Sequence, residues 1–208
     1  MNLLDIIVYN NTIRNWLIVL LIITVGTGLL RLFVNLLRKR LEKFVVPKKD
    51  GIYNPLVIIL TRTRSFFLFI VAVFLGEQFL VLPGVLVIGI RIITTTIALV
   101  QIGLWGNGII TFYVTRHAKK QLENGAGGNA TTLNVLGYIG KTILWVILLL
   151  MILDNIPGVN VSTLIASLGI GGVAVALALQ NILGDLFASI SIALDSPFVI
   201  GDFIVVGQ

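Results

Sequence analysis

The sequence predicts an all-α membrane protein with five transmembrane helices, followed by the start of a β domain. Two features of the composition predict this class: 57% of the 208 residues are hydrophobic and only 12% are charged. Soluble domains carry about 45–50% apolar and about 25% charged residues. The mean hydropathy of +1.05 agrees, so most of the chain is expected to lie within lipid.

Five apolar stretches approach the length of about 20 residues that a membrane-spanning helix needs. They run from Ile13 to Leu37, from Phe66 to Leu82, from Val85 to Val114, from Leu133 to Leu153, and from Val161 to Leu194. The N-terminus lacks the basic region and the small-residue cleavage site of a secretory signal, so the first stretch is expected to be retained.

The distribution of lysine and arginine predicts the orientation, because cytoplasmic loops carry an excess of these residues. Basic residues follow the first and third stretches. The loops on the other side of the membrane, around the ends of the second and fourth stretches, hold Glu77 and Asp154 as their only charged residues. The basic residues are Arg38, Lys39, Arg40, Lys43, Lys48, Lys49, Arg62, Arg64, Arg116, Lys119 and Lys120. We therefore expect a multi-pass protein of the cell (inner) membrane with its N-terminus outside and its C-terminus in the cytoplasm.

Several function classes lack the residues they require. The chain has no cysteine and one histidine, His117, and its acidic residues are scattered, so neither an enzyme, a metal site nor a cofactor is expected. A net charge of +6 without an aromatic-interleaved basic patch gives no support for nucleic-acid binding. The segment from Glu123 to Asn129 is rich in glycine and is predicted to be a flexible turn rather than a phosphate loop.

Two ionisable residues fall inside the predicted spans: Arg91 in the third and Lys141 in the fourth. Charged groups within a membrane are candidates for a functional role, here contacts with lipid headgroups. The alternative is that each side chain reaches the interface along its aliphatic stem, or meets a partner on another helix.

The fifth stretch contains "LGIGGVAVALALQN", which has three glycines, four alanines and no charge. On a helical wheel of about 100° per residue, one stripe is formed by larger side chains, with small residues on both flanks. The stripe contains Ala166, Ile170, Val173, Leu177 and Gln180, and the flanks contain Gly169, Gly171, Gly172, Ala174, Ala176 and Ala178. Two small flanks favour a neighbouring helix on each side, and identical neighbours of this kind close into a ring.

In such a ring, Val173 and Leu177 would form an apolar constriction one helical turn apart, which can close by dewetting. The small flanks would let the helices slide as the ring widens. Packing at the centre of an ordinary helix bundle is the alternative that the wheel alone leaves open.

The rest of the fifth stretch predicts a kink and then β structure. Asn181 and Gly184 are poor helix formers within a long apolar run, so the helix is expected to bend near 181–184. Pro197 ends it, and "FVIGDFIVVG" alternates as two strands around a Gly-Asp turn. The predicted regions are a four-helix sensor or paddle at 1–160, a kinked helix at 161–196 and the beginning of a cytoplasmic β domain at 197–208.

The segment "LGIGGVAVALALQNILGDLFASISIALDSPFVIGDFIVVG" resembles the pore helix and first β-strand of small-conductance mechanosensitive channels of the MscS type. The resemblance implies a homoheptamer that opens under membrane tension and releases osmotic pressure, with constriction positions at Val173 and Leu177. The first position is usually leucine in the family. The usual hinge glycine corresponds to Asn181, which leaves Gly184 as an alternative hinge.

Five spans rather than three imply a subfamily with two additional N-terminal helices. The family continues into a large cytoplasmic domain, so we expect a sequence that stops at Gln208 to be truncated. The alternative function is a secondary transporter, although no internal repeat relates the five stretches.

Overall fold

The computed structural model describes residues 6–45, 55–125, 127–197, 201 and 203. The protein is mostly helical and divides into two compact units, Met1–Val159 and Asn160–Gln208. The first unit holds β1 (Ile7–Val8), β2 (Asn11–Thr12), α1 (Ile13–Val45), α2 (Pro55–Arg62), α3 (Ser65–Glu77), α4 (Gly84–Glu123) and α5 (Gly127–Asp154). The second holds α6 (Val161–Ala178) and α7 (Gln180–Asp195).

A short antiparallel hairpin precedes the first helix and was not expected from the sequence. β1 pairs with β2 in the register Ile7↔Thr12 and Val8↔Asn11. Tyr9 and Asn10 form the turn with φ values of 50° and 58°, the left-handed pair that a two-residue hairpin turn requires. The predicted strands at 197–208 lie almost entirely outside the described residues.

The helices confirm a multi-pass membrane protein. Four helices are long and apolar enough to cross a bilayer: Ile13–Leu41 within α1, and the whole of α4, α5 and α6. Counting the bent pair α2 and α3 as one crossing brings the number to five.

The second predicted span has different bounds from those expected. α3 begins at Ser65 and ends at Glu77, so its 13 residues extend only about 20 Å, less than the hydrocarbon thickness of about 30 Å. It is preceded by α2, which is bent from it by 77°. Pro83, which restricts Leu82 to extended backbone, is the N-cap residue of α4, so the next helix begins at Gly84.

The boundary between α4 and α5 also differs from the prediction. Arg116, Lys119 and Lys120 were assigned to a loop, but they lie in the last turns of α4, a helix of 40 residues and about 60 Å. The predicted turn is shorter than expected because α5 already begins at Gly127.

The buried side chain of Asn11 joins the start of α1 to the loop that follows α3. Its Nδ2 donates to the Val81 carbonyl at 2.9 Å, and the Val81 N–H donates to its Oδ1 at 2.7 Å. Further along, a Cβ at Gly76 would lie 3.1 Å from Val19. α1 and α3 are therefore antiparallel, and the end of α3 lies level with the start of α1.

α4 and α5 form a close antiparallel hairpin in which glycines accept large side chains. A Cβ at Gly106 would lie 2.7 Å from Leu144, and one at Gly137 would lie 2.7 Å from Val114. Only glycine permits this approach, because a real Cβ atom essentially never comes within 3.0 Å of another heavy atom.

We expect Asn11→Ala to destabilise the first unit by about 1–3 kcal/mol, because the two hydrogen bonds between the buried Asn11 side chain and the backbone of Val81 are lost. Thermal unfolding of the detergent-solubilised protein measures the change. Asn124→Ala, at an exposed position between α4 and α5, is the matched control. Equal stability of the two variants would contradict the role assigned to Asn11.

Gly137→Ala and Gly140→Ala provide a second test on one helix. The first places a methyl group against the stiff side chain of Val114 and is expected to cost about 1–3 kcal/mol. The second meets Ile110 only at 4.0 Å and is expected to be neutral or stabilising by up to about 1 kcal/mol. Equal unfolding temperatures of the two variants, or a higher unfolding temperature for Gly137→Ala, would refute the close packing of α4 on α5.

Candidate pore-lining segment

α6 is an uncharged, predominantly apolar helix. It has 18 residues, about 27 Å in length, which matches the hydrocarbon of a bilayer. The hydroxyl of Ser167 donates to the Thr163 carbonyl at 2.9 Å, so this side chain needs no partner on another helix. Such a helix can present its whole surface to other apolar helices.

The surface of α6 is uncovered in the single chain. Val161 is buried, and every residue of α6 from Ser162 to Ala178 is exposed. The predicted constriction residues Val173 and Leu177 are 60% and 66% exposed, and Ile170 is 77% exposed. A soluble protein rarely leaves so much apolar surface without a partner, so lipid or another helix must cover it.

The glycines of α6 differ from those at the contact between α4 and α5. A Cβ built at Gly169, Gly171 or Gly172 meets no heavy atom within 4 Å. Gly106 and Gly137 are needed for the close approach of α4 and α5, whereas the three glycines of α6 leave room for further contacts.

The remaining predicted residues of the segment lie along the same two helices. Ala166, Ala174, Ala176 and Ala178 are exposed on α6, and Gln180 is the first residue of α7. Whether the larger side chains face a pore stays a prediction.

The helix is interrupted at Leu179, which separates α6 from α7. The interruption is slight, since the Leu179 N–H still bonds to the Val175 carbonyl at 3.0 Å and the Leu183 N–H bonds to the Leu179 carbonyl at 2.9 Å. Asn181 and Gly184, the predicted hinge residues, lie just beyond it within α7, and their role as hinges stays a prediction.

α7 ends at Asp195, directly before Pro197. Ser196 takes a left-handed conformation at φ 41°, and its N–H bonds to the Ile192 carbonyl at 2.9 Å. None of the 16 residues of α7, all of them described, is buried.

The two ionisable residues within the spans have different surroundings. Lys141 is half-buried on α5, and its Nζ lies 5.7 Å from the centre of the Tyr138 ring, within range of a cation–π contact. Arg91 is exposed on α4. Contacts of either residue with lipid stay a prediction.

Reasoning from the sequence missed two buried polar residues, Asn11 and Gln101, each of which is 2% exposed. Gln101 interrupts the apolar run of the third stretch, so it carried the same signal that singled out Arg91 and Lys141. Gln101 is uncharged, but an amide in lipid also needs hydrogen-bond partners. Among the described residues, no three histidine or acidic side chains are grouped as a metal site would require.

Comparison with known proteins places α5 and α6 in a recognised pair of helices. The family model "Mechanosensitive ion channel, transmembrane helices 2/3" matches residues 138–180, which include most of α5 and the whole of α6. An uncharacterized MscS family protein of Helicobacter pylori is 40% identical over 95 residues, 46% of this chain and 15% of the relative. The chain is thus similar to MscS-type proteins over this part of its length.

Two relatives from Methanocaldococcus jannaschii are named as mechanosensitive channels. The large-conductance mechanosensitive channel MscMJLR is 50% identical over 64 residues, 31% of this chain and 18% of the relative. The small-conductance mechanosensitive channel MscMJ is 24% identical over 96% of this chain and 57% of its own length. The chain thus matches only part of each relative's length. No solved structure matches it at a comparable level.

Proposed function

We propose that the protein forms a mechanosensitive ion channel whose pore is lined by α6 from several identical subunits. This proposal is supported by two features that occur together on α6. The match to the mechanosensitive channel family includes all of α6, and the residues of α6 from Ser162 to Ala178 are exposed, with its three glycines open.

The closed pore is held shut by apolar side chains rather than by a plug. Val173 and Leu177 lie one turn apart, so a ring of subunits places two successive apolar levels around the axis. Water is unstable in a narrow passage lined by such groups, and ions cannot shed their hydration to cross it. Val173 is smaller than leucine, so the narrower level is at Leu177.

Opening needs helices that can move past one another without steric conflict. Small residues flank the stripe on both sides: Gly169, Gly172 and Ala176 on one side, and Ala174 and Ala178 on the other. Backbones approach closely at such flanks. The subunits can therefore slide while they stay in contact.

Membrane tension supplies the energy for opening because the open ring occupies more area in the bilayer. Only such a difference between two states can shift their populations. Flow of ions and small solutes through the open pore releases osmotic pressure. Seven subunits follow from the family resemblance, and the cell (inner) membrane is the expected location.

The orientation with the N-terminus outside is supported by the contact between Asn11 and Val81. This contact brings the start of α1 and the end of α3 to one face of the membrane, so α2 and α3 together make one crossing. The basic residues of α1 and α4 then share the opposite, cytoplasmic face. Arg91 lies near the outer lipid headgroups and Lys141 nearer the inner ones.

A secondary transporter is the second candidate, because α2 and α3 form a broken helix of the kind found at transporter substrate sites. In a transporter the free helix ends bind the substrate. Here both sides of the break are bonded to the side chain of Gln101, which favours the channel. Subunit counting separates the two, since a ring of several copies supports a channel and a monomer or dimer supports a transporter.

We expect Leu177→Ser and Val173→Ser to lower the tension at which the full-length channel opens. Each change removes apolar contact worth up to about 1.5–3 kcal/mol per subunit from the closed constriction and hydrates it. Patch-clamp recording under suction measures the opening tension. Val175→Ser is the matched control, since Val175 is equally exposed but lies on the opposite side of the helix.

An unchanged opening tension in both variants, or an equal shift in Val175→Ser, would refute the pore-lining stripe. Absence of any tension-activated current from the full-length protein would refute the channel itself.

A further inference from the structure

The break between α2 and α3 is stabilised by a side chain from a third helix. The two helices meet at 77° with only Thr63 and Arg64 between them. A helix that breaks in a membrane leaves backbone groups without partners, and each such group costs several kcal/mol in hydrocarbon. The break therefore requires hydrogen bonds from elsewhere in the protein.

Gln101 of α4 supplies a hydrogen bond on each side of the break. Its Nε2 donates to the Arg62 carbonyl at 2.9 Å, and the Arg64 N–H donates to its Oε1 at 3.2 Å. One buried amide thus joins the last residue of α2 to the residue that caps α3.

Trp105, one turn further along α4, makes the adjoining contact. Its Nε1 donates to Thr63 Oγ1 at 3.2 Å, and that hydroxyl donates to the Ile59 carbonyl in α2 at 2.8 Å. The Trp105 ring also meets Phe67 of α3 edge-on, with centroids 5.9 Å apart. The same α4 side chain therefore holds both helices of the bent pair.

Gly108 completes this face of α4 by allowing α2 to approach closely. A Cβ there would lie 2.7 Å from Arg62 Cδ and 2.8 Å from Ile58 Cγ2. Gln101, Trp105 and Gly108 are spaced by four and three residues, so they share one side of the helix. Gly103 and Gly106 on α4 receive side chains of α5, so α4 lies between the bent pair and α5.

The position of the break along α4 sets the depth of α2. Gln101 is 17 residues beyond Gly84, where α4 begins, a rise of about 26 Å against a hydrocarbon thickness of about 30 Å. The break therefore falls near the far face of the hydrocarbon. α3 extends about 20 Å across the hydrocarbon, and α2, turned 77° from it, runs closer to the plane of the membrane.

We infer that Gln101 is a positioning residue that holds α2 along the membrane face and transmits lateral force from α2 to the α4–α5 hairpin. A helix in this position meets changes in lipid packing directly, and Leu56, Thr61 and Arg62 of α2 are exposed to the surroundings. Because Gln101 and Trp105 fix both helices of the pair to α4, displacement of α2 moves α4. The force-transmitting part of this inference rests on the proposed channel function.

The first experiment measures how firmly α2 is held, independently of channel activity. The described sequence contains no cysteine, so a single Thr61→Cys in otherwise cysteine-free full-length protein carries one spin label on α2. Gln101→Leu is expected to make this label more mobile in its magnetic resonance spectrum, because both bonds across the break are lost. Gln78→Leu, an exposed glutamine at the end of α3, is the matched control and is expected to leave the spectrum unchanged.

The second experiment measures the opening tension of the same variants by patch clamp. Gln101→Leu is expected to raise it, because less of the force on α2 reaches α4, and Gln78→Leu is expected to leave it at the parent value. An immobile label in Gln101→Leu would overturn the positioning role. A mobile label with unchanged opening tension would overturn force transmission.

A substitution at Arg64 tests the same bond from the other side and remains informative if Gln101→Leu does not fold. Arg64→Pro removes the N–H that bonds to Gln101 and is compatible with the φ of −77° at this position. Arg64→Ala removes the charge but keeps the N–H, so only the proline variant is expected to mobilise the label and raise the opening tension. Equal effects of the two variants would overturn the inference.

The two proposals fail in different ways. A parent protein without tension-activated current refutes the channel, while the label on α2 still tests whether Gln101 holds the bend. Where both variants fold, Gln101→Leu and Arg64→Pro together are expected to give the shift of Gln101→Leu alone, because Arg64→Pro removes one of the two bonds that Gln101→Leu already removes. Additive shifts would show that they act separately and would overturn the shared role.

Discussion

Hydrocarbon offers no hydrogen-bond partner, so every backbone group that leaves a helix within the membrane must find one on the protein. This requirement accounts for the buried polar side chains of the first unit. Asn11 bonds to the loop after α3, Gln101 bonds to both sides of the α2–α3 break, and Asn155 donates to the Ile92 carbonyl at 3.3 Å. Each polar side chain fixes an irregular stretch of backbone to a neighbouring helix, and these contacts set how the helices are arranged.

The two units use glycine in opposite ways, and the difference bears on function. In α4 and α5, glycines such as Gly106 and Gly137 admit side chains from the partner helix, which makes the hairpin rigid. In α6, Gly169 and Gly172 face open space, and the helix carries exposed apolar groups along its length. The first unit therefore makes close contacts within itself, whereas the exposed surface of α6 is open to contacts with other apolar groups.

The sequence predicted the helical membrane architecture well because hydrophobic length and the absence of charge are local properties. The starts of α1 and α6, at Ile13 and Val161, follow directly from those patterns. The break before α3 could not be predicted in the same way. The residues from Thr61 to Arg64 show only a polar interruption in the sequence. The bend depends on a contact with Gln101, which is 37 residues from Arg64. The similarity to MscS-type proteins was predictable because the order of small residues in α6 is distinctive, whereas the surroundings of Val173 in the proposed ring depend on contacts between chains.

The central claim is that α6 from identical subunits surrounds one axis with Val173 and Leu177 directed inward. Electron cryomicroscopy of the full-length protein in lipid nanodiscs tests this most directly, because it shows the number of subunits and the direction of each side chain together. The account predicts a closed ring with both residues at its narrowest levels and with the glycine flanks between adjacent subunits. A particle in which these two side chains contact lipid, away from any symmetry axis, would contradict it.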